Sequence, residues 1–233
     1  MSQLLLDIKP AQLPTLENFV AGGNAELISR LHGLADRSSY DAVYLWGRDG
    51  CGKSHLLAAT VAAAASHRPA TFLVAATVGT EIATTPGILL AVDDIQELTD
   101  AGQIELFRIF NAARLAGLTL LLAGNEPPAR LVLREDLRTR IGQTLVYEMK
   151  LLSDDEKSAA LARHALMRGM RVDDGLVRYL LAHSRRDLPT LMAVLDSLDR
   201  ATLEQQRPAT LPLLKEVLQL QFDDNSNHES CSV

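Results

Sequence analysis

Eight consecutive residues, Gly47-Arg48-Asp49-Gly50-Cys51-Gly52-Lys53-Ser54, combine three glycines, a lysine and a hydroxyl in the order G-x-x-x-x-G-K-S. The spacing suits the grip of a polyphosphate. Glycines let the backbone wrap an anion, the amides that open the next helix point into the hollow, and the positive end of the helix dipole adds attraction. Lys53 would reach the β- and γ-phosphates and Ser54 would hold Mg²⁺, while Gly47, Gly50, Cys51, Gly52 and His55 complete the cradle. A second chemistry-bearing pair, Asp93-Asp94, closes the apolar run Ile88-Leu89-Leu90-Ala91-Val92. There Asp93 could order Mg²⁺ with Ser54, and Asp94 could orient or activate a hydrolytic water. Asn125 follows another apolar run, Leu118 to Ala123. It is either a polar group that senses the γ-phosphate or positions water, or a turn residue favoured before Pro127-Pro128.

A phosphate loop works only between a strand and a helix, and both flanks are present: Val43-Tyr44-Leu45-Trp46 before, His55-Leu56-Leu57-Ala58-Ala59 after. Further strands are expected at Thr71 to Ala75, Ile88 to Val92, Leu118 to Ala123 and Leu145 to Met149. A helix from Gly102 to Leu115 would turn Ile104, Leu106, Phe107, Ile109 and Phe110 to the sheet. Uninterrupted apolar strands alternating with helices predict an α/β fold, an αβα sandwich around a five-stranded parallel sheet. Ahead of the first strand, Asn18-Phe19-Val20 and the pattern Leu27, Ile28, Leu31, Leu34 could wall a nucleotide base, with Phe19 and Val20 in contact, or be plain core. Arg130, Arg134 and Arg138, four apart, would share one face if their segment were helical, and Arg140 falls outside that row.

After Leu152 only helical signals remain. Ser153-Asp154-Asp155-Glu156 is a capping box that starts a helix to about Arg168; Asp173 can cap a second, a third spans about Leu188 to Gln205, and Thr210 can cap a fourth ending near Leu220. The expected division is an arm over 1–15, an α/β domain over 16–150, a small helical domain over 151–220 and a polar, disordered tail over 221–233. Arg185 and Arg186 open the third helix, where an arginine could reach a nucleotide or simply face solvent. The arm carries Gln3, Leu4, Leu6 and Ile8, which could fill successive pockets of another protein in extended form, or pack on their own domain.

With 233 residues, 47% hydrophobic and 22% charged, the chain reads as a soluble globular protein. A net charge of −6 argues against strong direct nucleic-acid binding. No leader or membrane span is read, so the cytoplasm is the expected location. Cys51 and Cys231 form neither a disulfide framework nor a metal site.

The order of parts resembles an AAA+ nucleotide-binding domain with its helical lid. The phrases Asn18-Phe19-Val20, Gly52-Lys53-Ser54-His55-Leu56-Leu57, Val92-Asp93-Asp94-Ile95-Gln96 and Arg186-Asp187-Leu188 are similar to motifs of the DnaA replication-initiator family. Tyr44-Leu45-Trp46 and Leu195-Asp196-Ser197-Leu198-Asp199-Arg200-Ala201 resemble that family's short regulatory branch, which inactivates the initiator. Initiators continue past the lid into a helix-turn-helix domain, whereas this sequence stops soon after Leu220, in keeping with the regulatory branch. The resemblance implies that Arg140 is an arginine finger completing a neighbour's nucleotide site, that Arg186 contacts phosphate from the lid, and that Asn125 is the sensor on the fourth strand. It implies bound ADP or ATP with Mg²⁺, and as partners DnaA and the sliding clamp (the β subunit of DNA polymerase III), with homo-oligomers possible. Gln3, Leu4, Leu6 and Ile8 match the branch's clamp-docking motif, from which Leu5 and Asp7 depart. A helicase loader or adaptor and an independent ATPase are the other functions such a chain could serve.

Overall fold

The computed structural model describes residues 13–36, 40–185 and 187–219. Five strands, β1 (Asp41–Trp46), β2 (Ala70–Val74), β3 (Leu89–Asp93), β4 (Thr119–Gly124) and β5 (Leu145–Glu148), form one sheet in the order β2-β3-β4-β1-β5, and every pairing is parallel. Its three central strands, β3, β4 and β1, are apolar at successive positions because nearly every residue there is buried on one face or the other, whereas the edge strands β2 and β5 are half-buried or exposed. Tyr44, Leu90, Val92, Leu120 and Leu122 enter one core, and Val43, Leu45, Leu89, Ala91, Leu121 and Ala123 enter the opposite one. Helices α1 (Ala25–Asp36) and α2 (Lys53–Ala64) cover the second face; α3 (Asp100–Ala116) and α4 (Glu135–Gly142) cover the first. The result is the three-layer αβα sandwich expected.

Two expectations are corrected. In α3 the buried residues are Gly102, Gln103, Leu106, Ile109, Phe110 and Ala113, while Ile104 is exposed. At about 100° per residue, 104 falls off the stripe set by 102, 106, 109 and 113. The row of arginines does not form either. A short 3-10 turn (Pro128–Arg130) is separated by extended residues from α4, and Arg134 is the N-cap of α4. Extended backbone between Arg130 and Arg134 removes the helical period that would have aligned them.

The chain divides into two compact units between Leu151 and Leu152. The second contains α5 (Asp154–Met167), α6 (Asp174–His183), α7 (Leu188–Gln205) and the helical residues 211–219. The Ser153–Glu156 capping box is formed in both directions, and Asp173 and Asp187 each accept a backbone N–H at the start of their helices. A ring of Leu161, Leu180, Leu191, Leu195, Leu198, Leu213 and Leu214 makes the core. Asp196 accepts from His164 Nε2 and Arg168 Nε, both at 2.6 Å, and Arg168 also reaches Asp199 at 3.5 Å. Both aspartates of the Leu195-to-Ala201 phrase thus tie α7 to α5. No described helix is long and apolar enough to cross a membrane.

Candidate nucleotide-binding site

All five strands run the same way, so the ends of β1, β3 and β4 lie on one edge of the sheet. Register sets Trp46 beside Gly124, and Val92 beside Leu122. The phosphate loop, Asp93-Asp94 and Asn125 therefore leave the sheet together, at the point where the connections from β1 and β4 part toward opposite edges. Gly47 N donates to Gly124 O at 3.3 Å, fastening the start of the loop to the end of β4.

Within the loop, Gly50 and Gly52 have φ +77° and +96°. A Cβ at Gly52 would stand 2.6 Å from Phe19 Cε2, and one at Gly47 would stand 2.9 Å from Met149 Cβ. Gly52 is the N-cap of α2, with no side chain to occupy the first amides of that helix. Lys53 is 6% exposed, and its ammonium donates to the loop carbonyls Gly47 O (2.8 Å) and Arg48 O (3.3 Å). A lysine is held so deep only where oxygen acceptors line the hollow.

Asp93 is 3% exposed. Burial pushes its carboxyl above the ordinary range, opposed chiefly by a hydrogen bond from the Ser54 hydroxyl. The helix start and the strand end thus bring a hydroxyl and a carboxylate into contact, a hard oxygen pair suited to Mg²⁺, which commonly takes one or two protein ligands plus phosphate oxygens. Cradle and donor set both fit a Mg²⁺ nucleotide. Asp94 follows with left-handed φ 53° and accepts Gln96 Nε2 at 3.1 Å. Asn125 is exposed directly after β4.

The segment before α1 is packed onto the loop. Asn18 closes a turn by accepting Thr15 N and donating to Leu13 O. Thr15 O meets His55 Nε2 at 3.1 Å, and the Phe19 and His55 rings are tilted with centroids 5.5 Å apart. Phe19 and His55 are therefore brought to the loop; Val20 is half-buried nearby in sequence. Sequence reasoning passed over two residues here. Asn24 exchanges hydrogen bonds with the Lys150 backbone (2.9 and 2.8 Å), pinning this segment to the end of the α/β unit. Tyr44, fully buried in β1, donates to Glu126 O at 2.6 Å and so holds the loop carrying Asn125. A glycine-glycine-asparagine triplet and a tyrosine in an otherwise aliphatic strand were the available signals.

Arg140 lies elsewhere on the same unit. Its side chain is exposed on α4, donates to Asn111 Oδ1 on α3 at 2.8 Å, and stands 6.0 Å from the Phe107 ring centroid. An open depression there is lined by Arg134, Glu135, Asp136, Thr139, Arg140 and Gln143. Gln3, Leu4, Leu6, Ile8 and Arg186 lie outside the described residues.

Burial also raises the Cys51 thiol above its ordinary 9.0, against the opposing pull of the Lys53 ammonium. The folded thiol then ionises later than the unfolded one, so stability is lost as pH rises through 9.0 toward the folded value. In a Cys231→Ser variant, iodoacetamide should label the native protein at least about tenfold more slowly than the urea-unfolded protein at pH 8. Equal rates would contradict the buried position.

Residues 154–218 match the family model described as Hda, lid domain. The fold is that of domain III of the Thermotoga maritima replication initiation protein DnaA, with a TM-score of 0.75 at 17% identity over 91% of this chain and 98% of that one. The C-terminal helical segment is thus similar to the Hda lid domain, and the chain as a whole has the fold of DnaA domain III. The chain also resembles AMPPCP-bound DnaA from Aquifex aeolicus (TM-score 0.68, 21% identity, 84% of this chain and 67% of that). RuvB from Thermotoga maritima shares the fold at a TM-score of 0.70 and 16% identity, over 89% of this chain and 72% of that one. At these identities the structural likeness is one of fold. The Hda lid model covers residues 154–218 alone.

Proposed function

We propose that this chain is a DnaA-related regulator of replication that holds ADP or ATP with Mg²⁺ and presents Arg140 to the ATP site of DnaA, speeding hydrolysis there. The observation that carries the reading is an exposed arginine, hydrogen-bonded to a neutral amide, on the same domain as a phosphate loop whose lysine and Ser54–Asp93 pair are in place. In phosphoryl transfer, charge spreads over the transferred oxygens, and a guanidinium delivered in trans accelerates hydrolysis by on the order of 10³ to 10⁵. Asn111 orients the guanidinium while leaving the remaining donors to the partner.

In the chain's own pocket the loop amides and Lys53 would bind the phosphates, with Phe19, Val20 and His55 toward the base side. Ser54 and Asp93 would hold Mg²⁺, which when bound neutralises phosphate charge. Asp94 and Asn125 would orient water. That the related DnaA from Aquifex aeolicus is AMPPCP-bound supports nucleotide binding here. Gln3, Leu4, Leu6 and Ile8 would dock on the sliding clamp, raising the local concentration of the two partners. Conversion of DnaA to its ADP form would then act as a brake on initiation, in the cytoplasm.

The test is to mix purified protein, DNA-loaded clamp and ATP-bound DnaA, and to follow ATP conversion to ADP. Conversion should be fast with all three components, and a Gln3→Ala, Leu4→Ala variant should lose the clamp's contribution without losing nucleotide affinity. No acceleration by the complete mixture would refute the proposal.

A further inference from the structure

Asp94 is held by a side chain two residues further on. Gln96 Nε2 donates to Asp94 Oδ1 at 3.1 Å, and the reverse orientation of the amide would set its oxygen against a carboxylate. At the other end of the amide, Gln96 Oε1 is buried with no hydrogen-bond partner among the described residues. It faces the end of β4. A Cβ placed on Gly124 would lie 3.1 Å from this oxygen and 2.5 Å from the Tyr44 hydroxyl, which is itself engaged with Glu126 O. Buried amide oxygens are rarely left unpaired, so the side chain keeps this orientation for what its nitrogen does. The main chain concurs: Asp94 sits at φ 53°, and its N–H is turned to Asp93 Oδ1 at 3.0 Å.

We propose that Gln96 is the positioning residue for Asp94, and that through it the pocket distinguishes a nucleoside triphosphate from a diphosphate. The inference rests on the nucleotide-site reading given above. The two nucleotides differ by one terminal anionic group. Asp93 is taken up by Ser54, so Asp94 is the second carboxylate of the site, the one whose charge and direction matter to that extra group. An amide N–H on Oδ1 disperses the charge and fixes which lone pairs remain. Without it the carboxylate is free to turn, and its repulsion of a third phosphate is undiminished. A diphosphate, gripped by the loop and Lys53, is indifferent to the change.

The test measures binding of ADP and of AMPPCP, each with Mg²⁺, by isothermal titration to the full chain and to Gln96→Met, which keeps the length and removes the donor. AMPPCP affinity should fall about fivefold or more, while ADP affinity stays within about twofold. Gln96→Asn, too short to reach, should behave likewise and serves if the methionine variant folds poorly. In an Asp94→Ala background Gln96→Met should add nothing, since the group it positions is gone. Equal losses for both nucleotides, no loss for either, or a full effect persisting without Asp94 would overturn the assignment. If the unmutated chain bound neither nucleotide, the nucleotide-site reading itself would fail and take this inference with it, a result distinct from the other three.

Discussion

Arg140→Ala is expected to abolish stimulation of DnaA's ATPase, a loss on the order of 10³-fold or more in rate, while nucleotide binding by the chain and its melting temperature stay nearly unchanged. The separation follows from placement. Arg140 is exposed, its hydrogen bond goes to Asn111 at 2.8 Å, and its ring contact is with Phe107, so its removal opens no cavity and orphans no buried group. None of these contacts belongs to the chain's own phosphate loop. Arg140→Lys should recover little, because an ammonium lacks the planar fork that meets two phosphoryl oxygens at once. The measurement is single-turnover hydrolysis of DnaA-bound ATP with the clamp present. Wild-type stimulation by Arg140→Ala would remove the finger from this residue.

Gly52→Ala should cost the chain its nucleotide, with affinity for ADP falling by roughly 100-fold or more, through two faults that are separable. A φ of +96° is ready for glycine and strained for alanine, and the added methyl would meet Phe19 Cε2 at 2.6 Å. Phe19 can give way only by leaving His55, whose ring lies 5.5 Å off. The substitution would therefore displace the loop amides, the Phe19 segment, or both. Combining it with Phe19→Leu relieves the clash and leaves the strain, so partial recovery of ADP affinity is expected from the double variant. Titration calorimetry reads both. Full affinity in Gly52→Ala alone would show that the loop geometry is not what grips the phosphates.

Much of this architecture was readable in advance because the signals were local. Apolar runs four to six residues long, punctuated by glycine and proline, marked all five strands, and the capping residues Ser153 and Asp173 marked the starts of two helices to the residue. The misreadings came where a pattern had no partner to fix it. Ile104 counts as apolar in any sum over α3, yet the sheet contacts only one stripe of that helix. Three arginines at intervals of four resemble a helical face, but the break between Pro128–Arg130 and α4 depends on residues packing below them, with Leu131 and Leu137 buried in the same core.

The sequence alone determined the chemistry on offer: a glycine-rich loop with a lysine and a hydroxyl, a pair of carboxylates after a buried strand, and a helical appendage, since each depends on residue types at fixed short spacings. Only the tertiary structure decided which groups meet. Ser54 touches Asp93, Gln96 holds Asp94, Tyr44 secures the Asn125 loop and Arg140 faces outward on Asn111. Except for the Gln96–Asp94 bond, those pairings join residues far apart in the chain. They are set by strand order and register, which arise from many weak apolar contacts acting together and which no single stretch of sequence encodes.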